Sequence, residues 1–440
     1  MSLSPAPISP PTPDAAPMRA RWRLPLRGNR LLTGSALLLV STTIVNIGNY
    51  LFNLLMGRWL GPPAFADVSL IITLFLVVTL ITATLQTVAA RFSAIYQAGD
   101  QLASLSGLRQ WGVRWAWALG LAGALGMIVG APLWAQFFHT SSPWPFVILG
   151  VGVPIYFAQG VDRGILQGQM RFPWLALTYQ AEMWARLFLG VVLVWAGFAV
   201  NGAVAALTLS FVATWLVARQ VRLKLPPPTG YARPLQRTAV AYAGPVTIAL
   251  LGQIIINNSD VLLVKHYYAP ADAGQYAALA MVGRIVFFAT WSVVMVLLPS
   301  VAQRHEQGKP HRHLLWMSLG LVGVASIVVV SVCYWWDDLV MGVLFGAAYL
   351  PVSPLLWVYA TATTLFALAN VFITYGLSLG KRTGSYLALA AGVVQVTGII
   401  LFHDTLVQVV MVQVYVMIGL VVALSLNELW NWRRERAKTA

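Results

Sequence analysis

Residues 33–57, TGSALLLVSTTIVNIGNYLFNLLMG, determine the class of fold, because this run contains no Asp, Glu, Lys or Arg. A helix of about 20 mostly apolar residues is long enough to cross the hydrocarbon core of a bilayer. The rest of the chain has the same character, since 59% of its 440 residues are hydrophobic and only 9% are charged. So few charges cannot cover a water-facing surface, and the sequence therefore predicts an integral membrane protein.

Comparable apolar runs recur along the chain and predict an all-α polytopic fold with twelve transmembrane helices. The first six spans cover residues 33–57, 67–92, 112–137, 145–169, 174–197 and 200–221. The other six cover residues 240–267, 273–302, 314–336, 351–379, 384–402 and 406–430. Little sequence remains for a soluble domain, and the GxxxxGK[ST] and HExxH motifs are absent. We therefore expect no enzyme, no catalytic residues and no metal site.

The positive-inside rule gives the predicted orientation, because short cytoplasmic loops carry an excess of Lys and Arg. With twelve spans, 24 of the 28 Lys and Arg fall on one side, whereas Arg58 and Lys265 lie on the other. We expect a multi-pass protein of the cytoplasmic (inner) membrane with both termini in the cytoplasm. Anionic lipids of the inner leaflet account for the net charge of +15, so no nucleic-acid partner is expected.

The two halves of the chain resemble each other, as in many transporters. The segment YLFNLLMGRWLGPP after Asn49 matches NSDVLLVKHYYAPA after Asn257, at an offset of 208 residues. Six spans per half predict a parallel repeat of two six-helix lobes. The predicted organisation is a disordered cytoplasmic tail at 1–30, a first lobe at 31–224, a linker at 225–238, a second lobe at 239–430 and a basic tail at 431–440.

A second repeated feature is the GxxxG spacing that ends the fourth and tenth spans. Gly164 and Gly168 form the first pair, and Gly376 and Gly380 form the second. Small residues four apart let helix backbones approach closely in membranes, so helix packing is the ordinary explanation. The alternative is a hinge or a polar lining at the cytoplasmic mouth, where Gln167 would also lie.

Polar side chains form a stripe on one face of the first span and a corresponding stripe on the seventh. The stripes consist of Thr42, Asn46, Asn49 and Asn53, and of Gln253, Asn257 and Asp260. A polar stripe facing lipid is penalised, so both are predicted to face the interior of the bundle. They either hold neighbouring helices together by hydrogen bonds or line a hydrated cavity between the lobes.

A few charged residues fall inside the predicted spans, where each needs a partner or a wet cavity. Glu182 and Arg186 lie four residues apart on the fifth span and are expected to pair. Arg284, on the eighth span, has Asp260 as its candidate partner. If these two do not pair, Arg284 is free to hold an anion and Asp260 a proton or a sodium ion.

Asp162 and Arg163 are adjacent on the fourth span and therefore point in different directions. They lie toward the cytoplasmic end, where long side chains reach the aqueous boundary. The sequence therefore predicts that Arg163 extends to that boundary.

Three segments together resemble the polysaccharide (oligosaccharide) flippase branch of the multidrug/oligosaccharidyl-lipid/polysaccharide exporter superfamily. They are GRWLGPPAFADVSL after the first span, its echo KHYYAPADAGQYAAL after the seventh, and GILQGQMRF at the end of the fourth. One departure is Ala66-Asp67, where the family more often has a glycine followed shortly by tyrosine, as Gly274 and Tyr276 are here. The resemblance implies a V of two lobes that alternates between inward-open and outward-open states.

The resemblance also implies a function and suggests roles for the charged and polar residues. The expected activity is translocation of a lipid-linked oligosaccharide or polysaccharide precursor, coupled to a cation or to the membrane potential. No cofactor is expected beyond a coupling Na⁺ or H⁺, and the partners would be membrane lipids and a polysaccharide polymerase or glycosyltransferases. Arg284, Arg58 and Arg186 would bind the anionic linkage; Asn46, Asn49, Asn53 and Asn257 would bind sugar hydroxyls; Asp260 and Glu182 would couple a cation.

Two other functions remain open from the sequence. A cation-coupled multidrug exporter of the same superfamily would have a more apolar, aromatic cavity, which the 18 tryptophans allow. A non-transporting scaffold of a glycan-assembly complex would merely pair its buried charges.

Overall fold

The structure is a computed structural model that describes residues 28–99, 101–220, 233–287 and 309–439, together with positions 297, 301, 303, 304 and 307. The predicted tail at 1–30, the linker at 225–238, the eighth span and the basic tail at 431–440 each lie partly outside the described residues. All regular elements within the described ranges are helical.

The first half of the chain forms six α-helices and one π-helical turn. The helices are α1 (Gly28–Ala98), α2 (Leu102–Val129), α3 (Ala131–Phe137), α4 (Trp144–Gly168), α5 (Phe172–Leu193) and α6 (Ala199–Gln220). The π-helical turn, Val194–Phe198, connects α5 to α6.

The second half forms seven α-helices within the described residues. Its helices are α7 (Arg233–Tyr267), α8 (Pro270–Gly283), α9 (Arg312–Trp335), α10 (Asp337–Leu344), α11 (Leu356–Ser378), α12 (Thr383–Leu401) and α13 (Leu406–Thr439). A 3₁₀ stretch, Ala347–Leu355, leads into α11.

Two of the apolar stretches are long enough to cross a bilayer twice. Residues 36–98 and 172–219 span 63 and 48 residues, or about 95 and 70 Å of helix against a hydrocarbon core of about 30 Å. Gly61 (φ 74) divides the first stretch, and Gly197 (φ 92) divides the second. With these divisions, eight apolar stretches give ten crossings, and the 35 residues of α7 are long enough for another. The eighth predicted span begins in α8 and continues outside the described residues. The all-α, twelve-span fold is confirmed.

The outside of the bundle is apolar, as expected for a lipid-facing surface. Leu133, Phe188 and Trp195 are among the large hydrophobic side chains left exposed. Helices α1–α6 pack mainly among themselves and form the first lobe, and α7–α13 form the second. Helix α1 also contacts α7 and α8, so it lies where the lobes meet.

The helix ends fall on two faces of the bundle. We call the face that contains Arg91, Arg109, Arg171 and Lys381 the basic face. The other end, which contains Arg58, Ser141, Lys265 and Val343, is called the opposite face.

The glycines of the fourth span pack against the second segment of α1, as the packing interpretation predicts. A Cβ on Gly164 would lie 2.4 Å from the carbonyl oxygen of Gln86, and one on Gly168 would lie 2.2 Å from that of Ala90. The second pair is different: among the described residues the nearest neighbour of a Cβ on Gly376 is 3.8 Å away, and Gly380 adopts φ 73 where α11 ends. The packing interpretation is therefore confirmed for the first pair, whereas Gly380 of the second pair forms a turn.

Candidate functional site

The polar stripe of the first span becomes more exposed toward the basic face. Asn53 and Asn49 are half-buried, whereas Asn46 and Thr42, one and two turns nearer the basic face, are exposed. Asn53 donates to the carbonyl oxygen of Asn49 at 2.9 Å within the same helix. Since uncompensated polar groups are costly in hydrocarbon, these exposed side chains need contact with water, which the hydrated cavity considered above would provide.

The inner end of this stripe meets a buried charge cluster, the Glu182 centre, formed by Arg163, Glu182, Arg186 and Asn49. Glu182 accepts from Arg163 Nη2 at 2.7 Å and from Arg186 Nη2 at 2.6 Å, so the predicted Glu182–Arg186 pair is present. Arg186 Nη1 donates to Asn49 Oδ1 at 2.9 Å. The cluster thus joins helices α4 and α5 to the polar face of α1.

Arg163 does not extend to the aqueous boundary, so that prediction is wrong. Its side chain is only 4% exposed and lies against the ring of Tyr179, with the guanidinium carbon 4.2 Å from the ring centroid. It also donates to the backbone oxygen of Thr178 at 3.0 Å. The adjacent Asp162 turns the other way and pairs with Arg109 at 2.7 Å. Arg163 therefore keeps its charge inside the lobe because Glu182 neutralises it there.

The Glu182 centre carries more positive than negative charge. Two guanidinium groups share the single carboxylate of Glu182, and the side chain of Arg186 is only 9% exposed. Arg186 Nε is buried and finds no hydrogen-bond acceptor among the described residues. An uncompensated positive charge in a low-dielectric site attracts an anion, so this centre is suited to receive one.

The second lobe holds a different cluster, the Asp260 centre, formed by Asp260, Arg284, Tyr276, Tyr359 and Gln413. Asp260 is fully buried and accepts from Arg284 Nη2 at 3.0 Å, from the Tyr359 hydroxyl at 2.7 Å and from the Tyr276 hydroxyl at 3.1 Å. Gln413 Nε2 donates to the hydroxyl oxygen of Tyr276 at 2.6 Å. The sequence left open whether Asp260 and Arg284 pair, and in this state they do, so their charges balance.

The stripe of the seventh span continues from the Asp260 centre. Asn257 is half-buried and donates to the backbone oxygen of Gln253 at 2.8 Å. Gln253 Nε2 donates in turn to Asn370 Oδ1 on α11 at 3.0 Å. Here the polar residues hold two helices of one lobe together, which is the hydrogen-bonding alternative stated above.

Arg58 lies apart from both centres. It is exposed on the opposite face and donates from Nη1 to the carbonyl oxygen of Val343 at 2.7 Å. The structure therefore brings Asn49, Glu182 and Arg186 together in one lobe and Asp260 and Arg284 together in the other. No group of three His, Cys, Asp or Glu side chains positioned for a metal ion occurs within the described ranges.

The described chain is thus a helical membrane bundle of two lobes, with a buried charge centre in each. The chain belongs to the family described as polysaccharide biosynthesis protein, which matches residues 31–305. A comparison with curated proteins finds no match.

Solved structures with the same fold belong to the MOP superfamily of transporters and include a lipid II flippase. An inward-facing multidrug resistance MATE transporter matches with a TM-score of 0.77 and 15% identity, over 91% of this chain and 98% of its own. The outward-facing conformation of such a transporter gives 0.64 and 17%, over 92% and 96%. The lipid II flippase MurJ in an inward closed conformation gives 0.72 and 14%, over 89% and 87%.

Proposed function

We propose that the protein is a flippase that moves the headgroup of a lipid-linked oligosaccharide or polysaccharide precursor across the cytoplasmic membrane. Family membership and the lipid II flippase among the structural neighbours support this function. The observation that carries it is the surplus positive charge of the Glu182 centre at the inner end of an open polar stripe. Such a site suits an anionic group that arrives together with many hydroxyls.

The chemistry of the substrate explains why a polar crevice is needed. Each unpaired hydroxyl costs roughly 4–8 kcal/mol to transfer from water into hydrocarbon, so an oligosaccharide does not cross a bilayer unaided. Asn46, Asn49 and Asn53 offer amide donors and acceptors along the crevice for sugar hydroxyls, and Asn257 offers another from the second lobe. The lipid tail remains in the bilayer throughout.

The anionic linkage is assigned first to Arg186, since it belongs to the centre with surplus charge and carries the unsatisfied Nε. Arg284 is held by Asp260, so it becomes available to an anion only when that pair separates. Arg58 lies on the opposite face, where it would meet the substrate only in an outward-open state. The three arginines would thus act at successive stages of transport.

The orientation of the protein gives this crevice a direction. By the positive-inside rule the basic face is cytoplasmic, so the exposed part of the stripe opens to the side on which glycan precursors are assembled. A hydrogen bond of 3.1 Å between Thr84 and Thr247 joins the second segment of α1 to α7 near the basic face. This contact closes the side of the crevice that is formed by the second segment of α1. We therefore expect the lipid tail to leave the crevice on the opposite side, beside the exposed first segment of α1.

Coupling to a cation is assigned to Asp260, with Glu182 as the second acidic group. Release of Asp260 from Arg284 would create a buried carboxylate able to take a proton or Na⁺. One charge moved through 100 mV supplies about 2.3 kcal/mol, enough to bias a two-state equilibrium more than tenfold. Partners among polysaccharide polymerases or glycosyltransferases would supply or consume the flipped precursor.

The surplus positive charge distinguishes this function from its two rivals. An exporter of cationic drugs would place surplus negative charge in its cavity, since a buried guanidinium repels an organic cation. A scaffold without transport would balance its buried charges, as the Asp260 centre does in this state. The Glu182 centre carries surplus positive charge, which neither rival function predicts.

Reconstitution into proteoliposomes tests the proposed function. A fluorescent lipid-linked oligosaccharide with a diphosphate linkage is placed in the membrane, and headgroup transfer is measured under imposed proton and sodium gradients. Transfer of this substrate, with no transport of an organic cation such as ethidium, is the expected result. Transport of the organic cation alone would reassign the protein to the drug exporters. Absence of both activities, in a protein that binds the lipid-linked glycan, would favour the scaffold.

A further inference from the structure

On the opposite face, the two lobes are joined by contacts between residues at equivalent positions of the internal repeat. Arg58 of the first lobe donates to the carbonyl oxygen of Val343 at 2.7 Å, and His266 of the second lobe contacts that of Phe137 at 2.6 Å through Nδ1. Arg58 and His266 are 208 residues apart, and the two carbonyl residues are 206 apart. Each lobe therefore places a side chain at the same repeat position against the corresponding short helix of the other lobe, α10 or α3.

A second pair of contacts lies at the neighbouring repeat-related positions, but in opposite roles. The Tyr349 hydroxyl donates to the carbonyl oxygen of Gly57 at 2.6 Å, and Lys265 Nζ donates to that of His139 at 3.3 Å. Gly57 and Lys265 are also 208 residues apart, although Gly57 accepts and Lys265 donates. Four inter-lobe hydrogen-bonding contacts among the described residues thus close the opposite face in this state.

One contact on this face breaks the symmetry, because it is ionic and has no counterpart. Lys265 Nζ lies 2.7 Å from Asp67 Oδ1, and the two side chains are only 2% and 4% exposed. Asp67 is held in place by Ser141, which donates from Oγ at 2.8 Å and from its backbone nitrogen at 3.2 Å. The positions related to this pair by the repeat hold Gly57 and Gln275, which are uncharged.

The surroundings of the pair are tightly packed, so little water reaches it in the closed state. Gly274 at the start of α8 lies so close to α1 that a Cβ there would be 1.8 Å from the carbonyl oxygen of Pro62. The rings of Phe65 and Tyr349, from different lobes, have centroids 6.4 Å apart on the same face. Both charges are therefore desolvated, and each depends on the other for compensation.

From this geometry we propose that Asp67 and Lys265 form an inter-lobe lock that holds the opposite face closed. Opening that face must separate α1 from α7, which exposes both charges to water. Loss of one partner leaves the other buried and uncompensated as long as the face stays closed. In the open state the remaining charge is hydrated, so its burial no longer costs free energy. Each single substitution should therefore shift the equilibrium between closed and open states toward the open state. The proposal concerns conformation and does not depend on which substrate is carried.

Distances between spin labels on the two lobes test the lock without any substrate. Labels are attached through Trp195→Cys and Phe402→Cys, exposed positions at the opposite face of the first and second lobes. Cys333→Ser removes the one natural cysteine. In lipid nanodiscs, Lys265→Met and Asp67→Asn should each raise the ratio of the long-distance to the short-distance population by about tenfold or more.

Two further variants separate a lock from general damage. Arg109→Gln breaks the Arg109–Asp162 pair within the first lobe and should leave the distance distribution unchanged. The exchange Asp67→Lys/Lys265→Asp restores opposite charges across the lobes and should return part of the short-distance population. The lock is refuted if folded Lys265→Met keeps the native distribution, or if Arg109→Gln shifts it as strongly.

Discussion

Asn49 Oδ1 accepts a hydrogen bond from Arg186 Nη1 at 2.9 Å, and this contact connects the polar stripe of the first span to the buried charge of the fifth. The stripe and the charge centre are thus one continuous surface rather than two features. An anion bound at Arg186 would lie beside amide groups that suit sugar hydroxyls. The predictions below test the parts of this surface separately.

Arg186→Gln should lower headgroup transfer by about tenfold to a hundredfold. Hydrogen bonds to charged groups contribute roughly 1.5–3 kcal/mol, and about 1.4 kcal/mol corresponds to a factor of ten. Initial transfer rates of the lipid-linked oligosaccharide in proteoliposomes measure the effect. Arg109→Gln, which removes an arginine from an ion pair outside the centre, serves as the control. Equal rates for Arg186→Gln and the native protein would remove Arg186 from the binding site.

The two members of the Glu182–Arg186 pair should differ in their importance for stability. Glu182→Gln leaves two buried guanidinium groups without a carboxylate, which should destabilise the fold by about 3–5 kcal/mol. Arg186→Gln leaves the neutral Arg163–Glu182 pair intact at 2.7 Å and should cost much less. Thermal unfolding of the purified variants in detergent compares them. A larger loss for Arg186→Gln would mean that the centre has no surplus positive charge.

Asp260→Asn should uncouple transport from the ion gradients. The amide cannot take up a proton in the relevant range, and it binds Na⁺ more weakly than a carboxylate. Exchange of substrate without a gradient should persist, while stimulation by an imposed proton or sodium gradient should disappear. Tyr359→Phe removes the hydroxyl that donates to Asp260 at 2.7 Å but keeps the carboxylate, so it should retain gradient stimulation. Stimulation of Asp260→Asn at the native level would exclude Asp260 as the coupling group.

Two neighbouring residues of α1 distinguish the crevice from the lipid-facing surface. Asn46 belongs to the polar stripe, and Ile47 is exposed on an apolar face of the same helix. Asn46→Trp should block headgroup transfer by filling the crevice, whereas Ile47→Trp should transport at close to the native rate. Expression and thermal stability of both variants should match the native protein, since both positions are exposed. If both variants transport equally well, the stripe does not line the path.

Features that depend on neighbouring residues in the sequence could be predicted. Apolar runs of bilayer length predicted the twelve spans, because a helix in lipid must be apolar along its whole length. The Glu182–Arg186 pair followed from a spacing of four residues, which places both side chains on one helical face. The GxxxG interpretation failed at Gly380, since the same spacing also fits a helix end that turns through a positive φ.

Features that depend on how helices rotate against one another could not be predicted. Nothing local indicates that Arg163 turns inward to Glu182 while Asp162 turns outward to Arg109. The Asp67–Lys265 pair joins residues 198 positions apart in the sequence. One signal did exist: Asp67 is an acid where the repeat-related residue, Gln275, is uncharged, and Lys265 is one of only two basic residues predicted on that side.

Ala199→Gly should stabilise the protein, because Ala199 begins α6 at φ 44 and ψ −127, a conformation that strongly favours glycine. The preceding turn already contains Gly197 at φ 92. Removing the Cβ of Ala199 should relieve about 1 kcal/mol of backbone strain, whereas Gly197→Ala should introduce a similar amount. Thermal unfolding of the two variants against the native protein measures both effects. A glycine also makes the unfolded chain more flexible, which lowers stability. A net gain in stability for Ala199→Gly would show that the backbone strain at Ala199 outweighs this entropy. A net loss would show that Ala199 carries little strain in the folded protein.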